Sequence, residues 1–350
     1  MTAEPGDIAA RALWLTAPRV AEFRREVVPA PGAGEIRVRT IASALSQGTE
    51  LLVYRGQVPP DLPLDLPTLG GSFAFPIKYG YAAVGRVVAV GAAVTDFAPG
   101  DVVFVHHPHQ SAFVVPAHPP AGPGPVRLPT GLDPLLAVFT ANLETAINVL
   151  LDTPLRLGET ALVFGQGTVG LLIAQLLRRA GAGRVVAVDP LAHRRDLARR
   201  LGVDEVLAPA DDLPTQIRAL TGGRGADVVI EASGAGTALQ AAVDAVAEEG
   251  TVVVASWYGT KPVTLALGGH FHRGRVRLRS SQVGRLDPAL TPRWDHARRL
   301  ALAVALLPEL RLAELISHRI PFGDAPAAYQ LVDEHSDETV QVVLTYEDGA

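Results

Sequence analysis

Gly165, Gly167 and Gly170 stand in G-x-G-x-x-G spacing, and Asp189 follows 19 residues after the last of them. Those residue types at those distances suit the binding of a dinucleotide. Gly165 permits a tight turn, Gly167 has no Cβ to keep a pyrophosphate off the backbone, and Gly170 lets a helix pack close to a strand. The amides near Thr168 and Val169 open a helix, so they offer free N–H groups and a partial positive charge to phosphates. Asp189 stands where an acid accepts hydrogen bonds from an adenosine ribose. Its carboxylate favours NAD over NADP, because it repels a 2′-phosphate. Arg194 and Arg195 follow closely and oppose that preference. Methyltransferase and flavin sites carry a similar fingerprint.

The surrounding pattern supplies the elements this motif needs. Ala161–Phe164 is an apolar run the length of a buried strand. Val169, Leu172, Ile173, Leu176 and Leu177 then recur at helical spacing, with Arg178 and Arg179 at the C-terminal end. Gly181 and Gly183 stop the helix, and a second apolar run, Arg184–Val188, leads to Asp189. Further strands are expected at Asp204–Leu207, Asp227–Glu231, Gly250–Ser256 and Arg275–Val283. Helices are expected over Ala192–Leu201, up to Leu220, and over Gly236–Ala247. Strands alternating with helical crossovers describe a doubly wound parallel sheet.

Before this unit, residues 1 to about 110 read as β-rich, with short runs at Ala12–Leu15, Glu35–Ile41 and Ala83–Val90 set off by Pro and Gly. Tyr54–Phe73 reads as a loop, and His270 and His272 fall on another. A helix is expected over Pro134–Leu151, another over Arg293–Leu307, and a last strand over Thr339–Tyr346. The division is therefore 1–150, 151–290 and 291–350, the last segment returning to the first.

The whole-chain balance narrows the classes. At 350 residues the chain can bury two cores. A net charge of −5 gives no basic excess for nucleic acid. No apolar stretch reaches the roughly 18 residues of a membrane span, and the N-terminus does not read as a signal peptide. These features point to a cytoplasmic protein acting on a small molecule. There are no cysteines, so disulfides and Cys-ligated metals are impossible.

Several local motifs resemble the medium-chain dehydrogenase/reductase superfamily: Pro31-Gly32-x-Gly34-Glu35, GRVVAVGAAVTDFAPGDVV (Gly85–Val103), VFGQGTVG (Val163–Gly170), VVIEASG (Val228–Gly234) and HRIPFGDAPAAYQ (His318–Gln330). SQGTE (Ser46–Glu50), KYGYAAVG (Lys78–Gly85), PHQ (Pro108–Gln110), ANLETAINVLLD (Ala141–Asp152) and SSQVG (Ser280–Gly284) resemble a branch similar to bacteriochlorophyllide dehydrogenase. The resemblance implies an α/β protein with a Rossmann unit inserted in a β-rich, GroES-like catalytic domain. It also implies a cofactor in the cleft between them and a homodimer. Ser233 and the Ser281–Val283 segment would contribute to the cofactor site, the latter through backbone contacts to the nicotinamide amide.

The departures from that family bear on the chemistry. Zinc-dependent members keep a ligand Cys in the stretch matching Ser46-Gln47 and Gly-His-Glu where this chain reads Gly80-Tyr81-Ala82. Neither ligand is present here, so the expectation is an enzyme without zinc. Side chains must then stabilise the oxygen whose charge develops during hydride transfer. The candidates that the resemblance places near substrate are His109, Tyr81, Thr49, Glu144 and Tyr79. His109, from the cluster His106-His107-Pro108-His109, is the first choice for acid/base work, since imidazole titrates in the right range. Tyr81 is the second. Thr49 matches a hydroxyl that relays protons in the family. Glu144 matches an acid that stands beside the metal in polyol-type members. A metal site rebuilt from His107, His109 and Glu144 is the competing arrangement.

The leading expectation is hydride transfer between NAD(H) and a secondary alcohol or ketone. An NADPH-dependent enone or quinone reductase, and a nucleotide-binding protein without catalysis, are the alternatives.

Overall fold

The computed structural model describes residues 6–64, 68, 70–120 and 122–347. The chain forms two compact units, Asn142–Arg299 and Met1–Ala141 with Leu300–Ala350.

In Asn142–Arg299, six strands lie in the order Glu205–Leu207, Arg184–Val188, Thr160–Phe164, Ala226–Glu231, Val246–Val254 and Arg277–Ser280. All neighbours are parallel. In chain order this is 3-2-1-4-5-6, the doubly wound arrangement in which strand direction of travel reverses beside the first strand. Thr160–Phe164 is buried along its whole length, as an interior strand covered on both faces must be, and that is why it reads as an unbroken apolar run. Helices Thr168–Arg179, Ala192–Arg200, Leu213–Leu220 and Gly236–Ala245 make the crossovers. The last strand is shorter than the expected Arg275–Val283, and Arg275 has a positive φ of 51°. His270 and His272 lie on a short helix, His270–Arg273, rather than on a loop.

In the other unit, Glu35–Leu45 is the hub. It pairs antiparallel with Ala83–Val90, Ala112–Pro116 and Gln341–Thr345. The sheet continues through Val102–Val105 to Val126–Arg127 on one side and ends at Ile316–Pro321 on the other. Val342, Val343 and Leu344 are fully buried, so the last strand is part of the core. Ile8–Ala17 and Val20–Val28 form a separate hairpin. Helix Ala325–Glu334 buries Ala325, Ala328, Tyr329 and Val332, one stripe at helical spacing.

Two further expectations are corrected. The helix expected over Pro134–Leu151 is broken into Pro134–Ala137 and Thr140–Asp152, and the Thr140 hydroxyl donates to the Ala137 carbonyl at the break (2.7 Å). Helix Thr49–Tyr54 enters the segment expected to be a loop from Tyr54. Residues 65–67 and 69 of that loop lie outside the described residues.

Candidate active site

In Asn142–Arg299, strand Thr160–Phe164 delivers the chain to Gly165, whose φ is +87°. A Cβ there would lie 2.8 Å from the Ser233 backbone nitrogen, so the turn admits no side chain. A Cβ on Gly170 would lie 1.9 Å from the Gly165 carbonyl oxygen. Gly167 caps helix Thr168–Arg179, and among the described residues a Cβ there would meet only Arg194 Nη1, at 3.8 Å. Asp189 is buried and accepts from the Gln166 amide (2.7 Å) and the Leu191 amide (2.8 Å). It therefore ties the glycine turn to the end of the neighbouring strand. Arg195 donates to the Asp189 and Pro190 carbonyls. Gln166 is fully buried, and its Oε1 has no partner among the described residues. A tight turn, a close helix, an open Gly167 and an orphan acceptor together fit a bound dinucleotide.

Ser233 is held inward. Its amide and hydroxyl both reach Glu231 Oε1 (2.6 and 2.5 Å), which also takes the Gly234 amide. Glu231 is fully buried, and its Oε2 accepts from Tyr258 (2.8 Å). Burial, followed by the Glu231 charge, pushes the Tyr258 phenol up. Ser281 donates to Asp152 (2.7 Å), and Arg299 donates to the Val283 carbonyl (2.6 Å) and to Asn148 (2.7 Å). Arg299 also pairs with Glu144 at 3.3 Å, both side chains being almost completely buried. Glu144 thus faces a cation within its own unit. Glu231 and Asn148 lie in the VVIEASG and ANLETAINVLLD stretches without having been singled out, and Arg299 lies in none of the quoted motifs.

The other unit assembles the remaining candidates. Tyr81 is partly exposed. Burial of the phenol and then the nearby Glu50 raise its pKa, so the group stays protonated. Tyr79 is 5% exposed and meets the Tyr81 ring edge-on at 6.1 Å. Gly80 between them has φ +137°, and a Cβ there would come within 3.0 Å of His109 Nε2. Glycine at that position lets the Tyr79–Tyr81 segment pass directly over the imidazole.

His109 itself is 0% exposed, and both ring nitrogens are engaged. Nε2 meets Glu50 Oε2 at 2.9 Å, and Nδ1 meets Ser43 Oγ at 2.7 Å. Tyr329 donates to the same Glu50 oxygen (2.7 Å), and Ser43 meets the Tyr346 hydroxyl (2.9 Å). Glu50, Ser43, Tyr329 and Tyr346 were not among the sequence candidates, although Glu50 lies in the SQGTE stretch beside Thr49.

Among the described residues the donor set of the zinc enzymes is not rebuilt from what remains. His107 lies flat on Phe113 (3.7 Å between ring centres, 8°), His109 is held by Glu50 and Ser43, and Glu144 pairs with Arg299. Gln47, in the stretch matching a ligand Cys, donates to Thr339. Among the described residues no three His, Asp or Glu side chains come together as metal ligands.

Residues 32–117 match the family model for the alcohol dehydrogenase GroES-like domain, and residues 168–301 match that for zinc-binding dehydrogenases. D-guloside 3-dehydrogenase of Escherichia coli (strain K12) is 31% identical over 352 residues, covering 95% of this chain and 99% of that protein. The 2-desacetyl-2-hydroxyethyl bacteriochlorophyllide A dehydrogenase of Cereibacter sphaeroides is 30% identical over 335 residues, covering 91% and 92%. The crystal structure of 2R,3R-butanediol dehydrogenase from Bacillus subtilis shares the fold, with a TM-score of 0.78, 20% identity, and 96% and 99% coverage.

Proposed function

This chain belongs to the medium-chain dehydrogenase/reductase superfamily and is an NAD(P)-dependent enzyme of it, and on that premise we propose that it moves hydride between NAD(H) and a secondary alcohol or its ketone without zinc. Gly165, Gly167, Gly170, the Thr168 and Val169 amides, Asp189 and Arg194 hold the dinucleotide, with Ser233, Ser281 and Val283 contributing to its site. The dinucleotide supplies the hydride acceptor or donor.

The observation that carries the reading is Tyr81, partly exposed beside the buried Tyr79 and set over His109 by Gly80, in the segment where zinc-dependent relatives keep Gly-His-Glu. A phenol held protonated donates to an oxygen on which charge develops. In ketone reduction Tyr81 gives the hydrogen bond and the proton, and Thr49 is the hydroxyl through which that proton is replaced. His109, with no exposed surface, supports this group from behind rather than touching substrate. Tyr79 forms the wall beside it, and Glu144 acts through Arg299.

The reading places the enzyme in the cytoplasm as a homodimer. Glycosides and polyols head the substrate panel, because a full-length relative acts on a D-guloside. The test is turnover of chelator-treated, zinc-free protein with NAD and with NADP across secondary alcohols. Undiminished turnover with NAD is the expected result. A stoichiometric zinc requirement overturns the metal-free chemistry. Preference for NADPH with enones or quinones replaces the alcohol reading. Firm cofactor binding without turnover of any substrate leaves a non-catalytic protein.

A further inference from the structure

We propose that Glu50 is a positioning residue of the reaction: it ties the Ser46–Thr49 turn to Tyr329 and to His109, the ring over which Gly80 lays the Tyr79–Tyr81 segment. The inference rests on Tyr81 being the donor, as proposed above.

The turn cannot hold itself. It opens helix Thr49–Tyr54, only six residues long, and helices that short are not stable alone. Gly48 stands at its N-cap and provides no side-chain cap. Glu50 instead ties the helix to the preceding turn, its Oε1 accepting from the Ser46 amide at 3.1 Å. Its Oε2 is fixed from two other elements, by Tyr329 on helix Ala325–Glu334 (2.7 Å) and by His109 (2.9 Å). His109 is steadied by Ser43 on strand Glu35–Leu45 (2.7 Å), which also meets Tyr346 (2.9 Å). Glu50, His109, Ser43 and Tyr329 all have no exposed surface. A buried carboxylate–imidazole pair adds little to stability over an apolar replacement. Here it joins three segments at the imidazole over which the Tyr79–Tyr81 segment passes.

The test is a double-mutant cycle on the full chain with E50A, E50Q, Y81F and E50A/Y81F. Glutamine keeps Oε1 for the Ser46 amide, and the two hydrogens of its NH2 serve His109 Nε2, once the ring proton moves to Nδ1 and Ser43, and the Tyr329 oxygen, which accepts where it had donated. Alanine removes every tie. E50A is expected to lower kcat about 10–100-fold with KM for NADH within about twofold, E50Q to recover most of that loss, and E50A to cost almost nothing further in the Y81F background. Multiplying losses in the double variant overturn the proposal, as does an E50Q as poor as E50A. Should E50A not fold, E50D replaces it, since a carboxylate one methylene shorter cannot reach both Ser46 and His109. A wild-type E50A beside a crippled Y81F overturns this proposal alone. A Y81F that turns over like wild type overturns the Tyr81 reading and this proposal with it.

Discussion

His107 lies against Phe113 with 7% exposure, and burial pulls its pKa from 6.5 down to about 3. The unfolded chain therefore takes up this proton first as pH falls. The stability of the neutral ring is complete above about pH 6.5 and is lost from there toward pH 3, at up to about 1.4 kcal/mol per pH unit. Urea unfolding between pH 7 and 5 should show a steeper loss for wild type than for His107→Phe, which keeps the stacking and cannot titrate. Asp189 offers a second test at this scale. It accepts two backbone amides, one on each carboxylate oxygen. Asparagine has one carbonyl oxygen, so Asp189→Asn turns an NH2 against one of those amides, at a cost of about 1–3 kcal/mol. Calorimetry should show the lower melting temperature, and fluorescence titration weaker NADH binding. Spacing alone brought out Asp189 as a candidate, but its brace on the Gln166 amide appears only when the turn is built.

The glycine turn makes a sharper pair of predictions at the scale of the element. A Cβ on Gly170 would collide with the Gly165 carbonyl at 1.9 Å, and a backbone oxygen cannot swing aside. Gly170→Ala should destabilise the unit by about 1–3 kcal/mol or more. A Cβ on Gly167 would meet only Arg194 Nη1, at 3.8 Å, among the described residues. Gly167→Ala should melt like wild type yet bind NADH at least about tenfold more weakly, near 1.4 kcal/mol. Melting curves and NADH titrations on both variants separate the two functions of the motif. Elements with long periodic patterns were legible in the sequence, as the helix Thr168–Arg179 shows. Helix Thr49–Tyr54 spans under two turns, too few for a period to register. Strand Val20–Val28 alternates but is largely exposed, and its charged residues hide the pattern.

At the scale of the molecule, the strand Gln341–Thr345 closes the unit formed by Met1–Ala141 and Leu300–Ala350. Gln341–Thr345 sits between Ile316–Pro321 and Glu35–Leu45. Val342, Val343 and Leu344 are fully buried. Burying each such side chain contributes about 1.5–3 kcal/mol, and the net stability of a domain is only about 5–15 kcal/mol. A chain ending at Val340 should lose the cooperative melting of this unit, which calorimetry on the truncated protein would detect.

The amino-acid sequence by itself determined the dinucleotide unit and its six strands. These depend on glycine conformation, local periodicity and residue identity, all written within short stretches. The tertiary structure alone decided which polar groups meet. Glu50 and Tyr329 are 279 positions apart, and Ser43 and Tyr346 are 303 apart. No local pattern encodes such pairs, because the strands and helices that carry them come together only when Gln341–Thr345 docks on Glu35–Leu45 and Tyr329 turns into the core. The same docking buried His109 and left Tyr81 partly exposed, and it is burial that separates a group able to meet substrate from one able only to support it.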